Sequence, residues 1–273
     1  MSAMKTTART LLVALGLSAL AAPALAATCG NNAAGFPAWL EDFKAEARSQ
    51  GISQGTIQSA LGDVSYDKKV IGLDRNQKSF KLSLEQFMER RAPASFVKKG
   101  KGIIAQNAGL LNGIEKRYGV QKEVLVAIWG METGFGANSG NMNIFRSLAT
   151  LSYDCRRSDF FTEELLAALQ IVERGDKRAA DMRGAWAGEI GQTQFLAKNY
   201  LRYAVDGDGD GRRDLIRSKA DVLASTANFL QQHGWTAGGG YGPGEVNYGV
   251  FRDWNRAEVY QKALSLFASK LAQ

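Results

Sequence analysis

Glu132 stands where an apolar run meets a glycine-rich turn. Val124-Leu125-Val126-Ala127-Ile128-Trp129-Gly130-Met131 precede it, and Thr133-Gly134-Phe135-Gly136 follow. A carboxyl at the end of a buried helix, between Trp129 and Phe135, loses solvation, and the negative end of the helix dipole acts in the same direction. Both effects hold its proton to higher pH. A carboxylic acid that keeps its proton near neutral pH can protonate the leaving oxygen of a glycosidic bond. The same pattern also describes a solvated helix boundary, so its meaning depends on what else the chain brings.

A second constellation is Gly184-Ala185-Trp186-Ala187-Gly188-Glu189-Ile190-Gly191-Gln192-Thr193-Gln194-Phe195. Its glycines allow close backbone approach by a ligand. The amides of Gln192 and Gln194 and the rings of Trp186 and Phe195 suit a sugar, through hydroxyl hydrogen bonds and stacking on the C–H face of the ring. A tightly packed helix start would use similar residues.

A third is Asp206-Gly207-Asp208-Gly209-Asp210-Gly211-Arg212-Arg213-Asp214, with carboxylates at loop positions 1, 3, 5 and 9 and glycine at 6. That is the calcium-loop pattern of an EF-hand, in which alternate residues converge on one hard cation. Position 12, where a bidentate Glu belongs, is Arg217, and the nearest later acid is Asp221. Calcium is therefore expected as a structural ion in a loop longer than usual. No organic cofactor is expected.

Helices must carry these residues, because only four prolines interrupt the chain and no Val or Ile alternation marks half-buried strands. Start and stop signals predict helices over 37–50, 53–61, 83–91 and 94–118, the last open to a break at Gly100 to Gly102. Further helices are predicted over 122–131, 159–174, 191–204, 221–233 and 256–272, separated by glycine-rich loops. The fold class expected is mainly α. Loops carrying Glu, Gln, Asn and aromatic residues become dense after residue 120. This gives a partition into an N-terminal helical region, 28–118, and a functional helical domain, 119–273.

Residues 1–27 carry Lys5 and Arg9, an apolar run from Leu11 to Leu20 and an Ala-rich end, the order of a secretory signal peptide. About ten apolar residues fall short of the roughly 20 that span a bilayer. Thr28 and Ala26 before Cys29 fit lipid attachment poorly, so a soluble, exported mature protein is expected. The only two cysteines, Cys29 and Cys155, are expected to form a disulfide in an oxidising compartment.

The formal charge of +7 loses Lys5 and Arg9 with the leader, which leaves +5 and a mild preference for an anionic partner. Export favours a cell-wall polymer over nucleic acid. The single histidine, His233, excludes histidine triads and zinc clusters and reads as a helix cap or surface residue. No long apolar surface stripe is legible, so a monomer is expected.

With these elements in this order, the chain resembles the membrane-bound lytic transglycosylase B family, whose members cleave peptidoglycan glycan strands and have a lysozyme-like catalytic domain. The resemblance rests on 130–136, on Ser147-Leu148-Ala149-Thr150-Leu151-Ser152, on 187–195, on the Asp206 loop and on Ser225-Thr226-Ala227-Asn228-Phe229-Leu230. It implies cleavage between N-acetylmuramic acid and N-acetylglucosamine in the periplasm, with a 1,6-anhydro-muramyl product. Glu132 falls on the position of the single acid/base. Gln192, Gln194, Phe195, Tyr248, Trp254 and Asn255 fall on or near the sugar site, and Asp206, Asp208, Asp210, Arg212 and Asp221 on the calcium loop.

Departures from the family pattern exist. Ala185 replaces a common Ser and Glu189 a common Ala, and Glu189 reads as a surface acid. The poor lipid-attachment signal departs from the family name. A hydrolytic muramidase on the same fold, or a peptidoglycan-binding protein without activity, are the other readings open to the sequence.

Overall fold

The computed structural model describes residues 28–76 and 82–273; the signal-peptide reading falls outside them. Thirteen helices appear among the described residues. They are α1 (Phe36–Ser49), α2 (Gln54–Leu61), α3 (Lys68–Arg75), α4 (Leu84–Arg91), α5 (Ala94–Gln106), α6 (Ala108–Tyr118) and α7 (Lys122–Thr133). They continue as α8 (Ile144–Tyr153), α9 (Ser158–Glu173), α10 (Ala197–Tyr203), α11 (Lys219–Gln232), α12 (Phe251–Trp254) and α13 (Glu258–Ala272). A two-strand antiparallel pair, β1 (Met142–Asn143) and β2 (Arg183–Gly184), is the only regular sheet among the described residues. The mainly α expectation therefore holds.

The apolar run before Glu132 is the centre of the molecule. Val124 through Ile128 are fully buried, because α7 is surrounded by α4, α5, α6, α11 and α13. A helix that is apolar on every face has no stable place except inside, and each aliphatic side chain buried there contributes about 1.5–3 kcal/mol. On one side α8 and α9 form a hairpin, with α10 and α2 against α9 and with α1 and α3 against α8. Residues from Phe36 to Leu271 contribute to one continuous apolar core.

Cys29 and Cys155 form the expected disulfide, with Cα atoms 5.1 Å apart, and Gly30 donates its N–H to Tyr153 O at 2.8 Å beside it. Next to this bridge, the buried carboxylate of Asp74 at the end of α3 accepts from Arg75 (2.6 Å), Arg156 and Arg157 (2.6 Å). Arg75 also grips Asp154 at 2.9 and 2.7 Å. Burial pushes the Asp74 carboxyl up, but the guanidinium groups of Arg156 and Arg157 outweigh it and hold it below the usual carboxylate range.

Three departures from the predicted helices have physical causes. The 94–118 helix breaks at Asn107, whose amide Nδ2 donates to Ile103 O at 2.8 Å and ends α5, rather than at the Gly100 to Gly102 stretch. Gly100 stays helical and buried, packed under Leu271. Helices α3 and α8 lie outside the predicted set, though each begins at a cap: Asp67 accepts from Lys69 N at 2.8 Å, and Asn143, which also belongs to β1, accepts from Arg146 N at 2.9 Å. The predicted 191–204 helix starts only at Ala197, because Ile190 and Phe195 pair across a turn with Ile190 N to Phe195 O at 2.7 Å.

Candidate active site

Helix α7 ends at Thr133 with a paired backbone closure: Gly134 N–H donates to Gly130 O at 2.9 Å and Phe135 N–H to Trp129 O at 3.1 Å. Gly134 takes the left-handed conformation (φ 63°) that such an ending requires. The closure turns Phe135 back onto Trp129 and leaves Glu132, in the last turn, pointing into a cleft of about 480 Å³.

Two donors from the far end of the chain meet Glu132. Tyr260 Oη, on α13, donates to Glu132 Oε1 at 2.6 Å, and Trp254 Nε1, at the end of α12, donates to the same oxygen at 3.1 Å. Both bonds go to Oε1, and no donor among the described residues reaches Oε2. Burial pushes the Glu132 carboxyl up; Tyr260, Trp254 and the charge of Arg91 pull against it without cancelling it. The Tyr260 phenol is pushed well up as well, by burial and then by the Glu132 charge, so it remains a donor.

The second constellation forms the opposite wall. Ala185 N–H donates to Glu189 O at 3.0 Å, which closes a tight turn, and β2 holds that turn against β1. Gly191 (φ 77°) lies so close to Leu215 O that a Cβ would stand 2.2 Å from it, so only glycine fits. Gln194 adopts φ 57°, rare for a residue with a side chain, and its Nε2 donates to Gly191 O at 2.8 Å. Its amide lines the cleft.

Of the residues expected at the sugar site, the structure brings Glu132, Gln194, Phe195, Trp254 and Asn255 to one cleft. Phe195 is only 2% exposed and meets Trp254 edge to face at 5.5 Å, so it braces that ring rather than offering a stacking face. Two expected residues lie elsewhere. Gln192 is buried beneath the site: its Oε1 accepts from Trp129 Nε1 at 3.0 Å and its Nε2 donates to Ile216 O at 2.9 Å, which occupies both ends of the amide. It links the helix to the wall. Tyr248 stands in a one-turn helix over Phe251, 6.1 Å between ring centres, outside the cleft.

Glu189 corrects a further expectation. It is no surface acid but faces the cleft, with Oε2 accepting the Ala187 N–H at 3.1 Å. Burial pushes its carboxyl up, as does the charge of Glu132, while backbone N–H groups and Arg157 favour its anion. Sequence reasoning missed Tyr260, Arg91, Arg157 and Phe160, all of which line the cleft. Only Phe160 left a local trace. Phe160 and Phe161 adjoin on α9 and point to different sides of it: Phe161 is 2% exposed in the core, and Phe160 is 42% exposed.

Away from the cleft, carboxylate oxygens of Asp206, Asp208 and Asp210 come within 4.8 Å of one another. Backbone N–H groups of Gly209 (2.6 Å) and Gly211 (2.7 Å) curl the loop onto Asp206. A set of hard oxygens gathered in this way fits a calcium-sized cation. Asp221 stands apart from that set. It is buried, with Oδ1 accepting from Gly207 N at 2.8 Å and Oδ2 from Asp214 N at 2.5 Å, so it pins both arms of the loop to α11. Arg212 donates its N–H to Asp210 Oδ1 at 2.8 Å, and Asp214 pairs with Lys177. His233 caps α11 with its ring stacked on Phe229.

The chain matches the transglycosylase SLT domain family over residues 35–247. It is 36% identical over 143 residues to membrane-bound lytic murein transglycosylase B of Escherichia coli strain K12, a match covering 52% of this chain and 39% of that protein. The aligned segment thus spans about two fifths of that relative's length. Among solved structures, SltB3 of Pseudomonas aeruginosa in complex with NAG-anhNAM-pentapeptide superposes with a TM-score of 0.82 at 32% identity, covering 87% of this chain and 79% of SltB3. The Escherichia coli lytic transglycosylase Slt35 in complex with calcium superposes with a TM-score of 0.76 at 23% identity, over 90% of this chain and 96% of Slt35, and shares the fold. With most of its helical body matched, this chain belongs to the transglycosylase SLT domain family.

Proposed function

We propose that this protein is a lytic transglycosylase that cuts peptidoglycan glycan strands between N-acetylmuramic acid and N-acetylglucosamine. The observation that carries the reading is Glu132, a desolvated carboxyl at the floor of an open cleft with both protein donors on one oxygen and the other free. Its Oε2 proton passes to the glycosidic oxygen as the C1–O bond breaks. The carboxylate left behind is stabilised by Tyr260 and Trp254, and it then takes the proton of the muramyl C6 hydroxyl as O6 closes on C1. No water is consumed, and the product ends in a 1,6-anhydro sugar. Gln194, whose Nε2 is held by Gly191 O and Ser139 O, offers its Oε1 to sugar hydroxyls, Asn255, whose Oδ1 accepts from Ala257 N–H, offers its Nδ2, and Trp186 and Phe160 supply ring faces in the cleft.

The setting of this activity is the periplasm, which the Cys29–Cys155 disulfide fits because such bonds persist in oxidising compartments. No helix among the described residues is long and apolar enough to cross a membrane. Calcium held by Asp206, Asp208 and Asp210 would neutralise three crowded carboxylates and stiffen the loop that leads into α11; it takes no part in the chemistry.

Glu189 favours one competing reading, a hydrolase in which a second cleft carboxylate activates water. Mass spectrometry of the muropeptides released from peptidoglycan, run beside Glu132→Gln, separates the two. Products one water lighter that depend on Glu132 support the transglycosylase, reducing ends support the hydrolase, and no Glu132-dependent release refutes both.

A further inference from the structure

Glu189 is the one cleft carboxylate that the reaction just described leaves without work. It sits beside the turn 185–188, which its own carbonyl closes through Ala185 N–H at 3.0 Å. The turn is held to β1 through β2 and cannot swing without breaking that pair. Oε2 is fixed by the Ala187 N–H at 3.1 Å, and beyond that N–H and the residue's own backbone N–H no described residue donates to this carboxylate. A carboxyl anchored at one oxygen, with the other facing a cleft that admits a glycan, is built to accept a hydrogen bond from what enters.

The neighbouring charges support an anion there while the acid does its work. Arg157 lies in the same cleft wall, held by Asp74 at 2.6 Å and stacked over Phe161 at 4.7 Å, so its charge is fixed in place. Arg91 and Tyr260 face the cleft from α4 and α13. Burial first, and then the charge of Glu132, disfavour the Glu189 anion, so the two cleft carboxyls resist being charged together. With Glu132 protonated that charge repulsion is absent, and the backbone N–H groups and Arg157 favour the Glu189 anion.

We propose that Glu189 is a positioning residue that accepts the acetamido N–H of the sugar whose C1 bond Glu132 breaks. This rests on the transglycosylase reading. As the glycosidic oxygen takes the Glu132 proton and leaves, the acetamido carbonyl oxygen bonds to C1, and its nitrogen gains positive charge. The N–H proton stays on nitrogen and donates to Glu189 more strongly than in the ground state. The C6 hydroxyl then gives its proton to Glu132, O6 bonds to C1, and the acetamido oxygen is released with its electron pair. Atoms and charge balance with no further reactant. An interaction that strengthens in the transition state raises turnover rather than binding.

The test compares wild type, Glu189→Gln and Glu189→Ala on peptidoglycan and on the same peptidoglycan with its acetamido groups removed chemically. Equal melting curves check that all three fold. On native substrate we expect Glu189→Ala to lose about ten-fold or more in kcat with KM nearly unchanged, and Glu189→Gln, which keeps an uncharged acceptor, to fall between. On the de-N-acetylated substrate, where the partner N–H of an amide is gone, the three proteins should turn over equally slowly. The alkaline limb of the Glu189→Ala profile should also move to lower pH, because Glu132 loses a like charge, a shift that a merely structural role would not produce. Unchanged kcat on native substrate, or the same loss on both substrates, overturns the proposal while leaving the transglycosylase reading intact. Wild-type release of reducing ends instead of anhydro ends overturns both, since Glu189 would then serve water.

Discussion

Tyr260 and Glu132 are 128 residues apart in sequence, and the phenol donates to the carboxyl at 2.6 Å on the same oxygen that Trp254 reaches at 3.1 Å. In the proposed reaction, two donors on one oxygen would divide the labour of a single acid. They would support the anion that forms when the proton leaves, and the other oxygen would deliver it. The arrangement also limits how far burial can raise the Glu132 carboxyl.

Removing the phenol tests that balance. Tyr260→Phe takes away a donor that favours the Glu132 anion, so the alkaline limb of the pH–rate profile is expected at higher pH than in wild type. Maximal turnover should fall about ten-fold, because the anion formed in the first step is less supported. A limb that stays in place or moves down would show that Tyr260 does not govern this carboxyl.

Glu132→Gln should reduce turnover by about 100-fold or more while glycan binding persists. Its stability carries a sign as well. Burial places the folded-state pKa of Glu132 above the unfolded one, so its favourable contribution is complete below the unfolded value and is lost as pH rises through the folded one. The Gln variant should therefore melt above wild type at neutral and alkaline pH and match it below about pH 4. Thermal melts across that range decide, and a variant less stable than wild type at pH 8 would contradict the burial argument.

Calcium should stabilise the fold through Asp206, Asp208 and Asp210. At a concentration about 100 times the dissociation constant the gain is roughly 2.7 kcal/mol. Chelator-treated protein should melt lower, magnesium should restore less than calcium, and Asp208→Ala should abolish the difference. Identical melting curves with and without calcium would leave the loop as a solvated turn.

The Cys29–Cys155 bridge closes a loop with a sequence separation of 126. In the chain-entropy treatment such a closure contributes about 5 kcal/mol, less where the reduced chain keeps structure. Cys29→Ser should lower stability by about 2–5 kcal/mol in urea unfolding, and thiol labelling of the oxidised native protein should find nothing to label.

Asp74→Ala removes the carboxylate that three arginines share, and leaves Arg156 and Arg157 crowded beside the bridge. Their side chains are 42% and 40% exposed, so water offsets part of the loss, and about 1–3 kcal/mol is expected rather than the larger figure of a fully buried pair. Since the folded Asp74 carboxyl lies below its unfolded value, wild type loses this contribution as pH falls through that lower value, and the difference between the two proteins should shrink in acid.

Much of this was legible from one dimension. A run of eight apolar residues around α7 can only be stable inside, whatever surrounds it, and so Glu132 had to stand at the edge of the core. Two cysteines admit a single pairing. Alternating aspartates separated by glycines curl on themselves through their own backbone N–H groups, and the Asp206 loop does so here. Most helix positions followed from caps and periodicity for the same reason: each depends on residues within a few places along the chain.

What tertiary structure alone decided concerns side chains that meet across elements. Tyr260 reaches Glu132 because α13 packs along α7, and nothing near residue 260 announces it. Gln192 and Gln194 look alike in sequence; the turn between Ile190 and Phe195 buries the first under the helix and opens the second to the cleft. The same turn kept 191–196 from being helical, since Gly191 and Gln194 adopt positive φ. Glu189 faces inward because the short β1–β2 pair fixes the turn that carries it, a pairing between segments forty residues apart. Local sequence sets the periodicity of an element, whereas the direction of a side chain at a loop is set by which distant backbone the loop is pinned to.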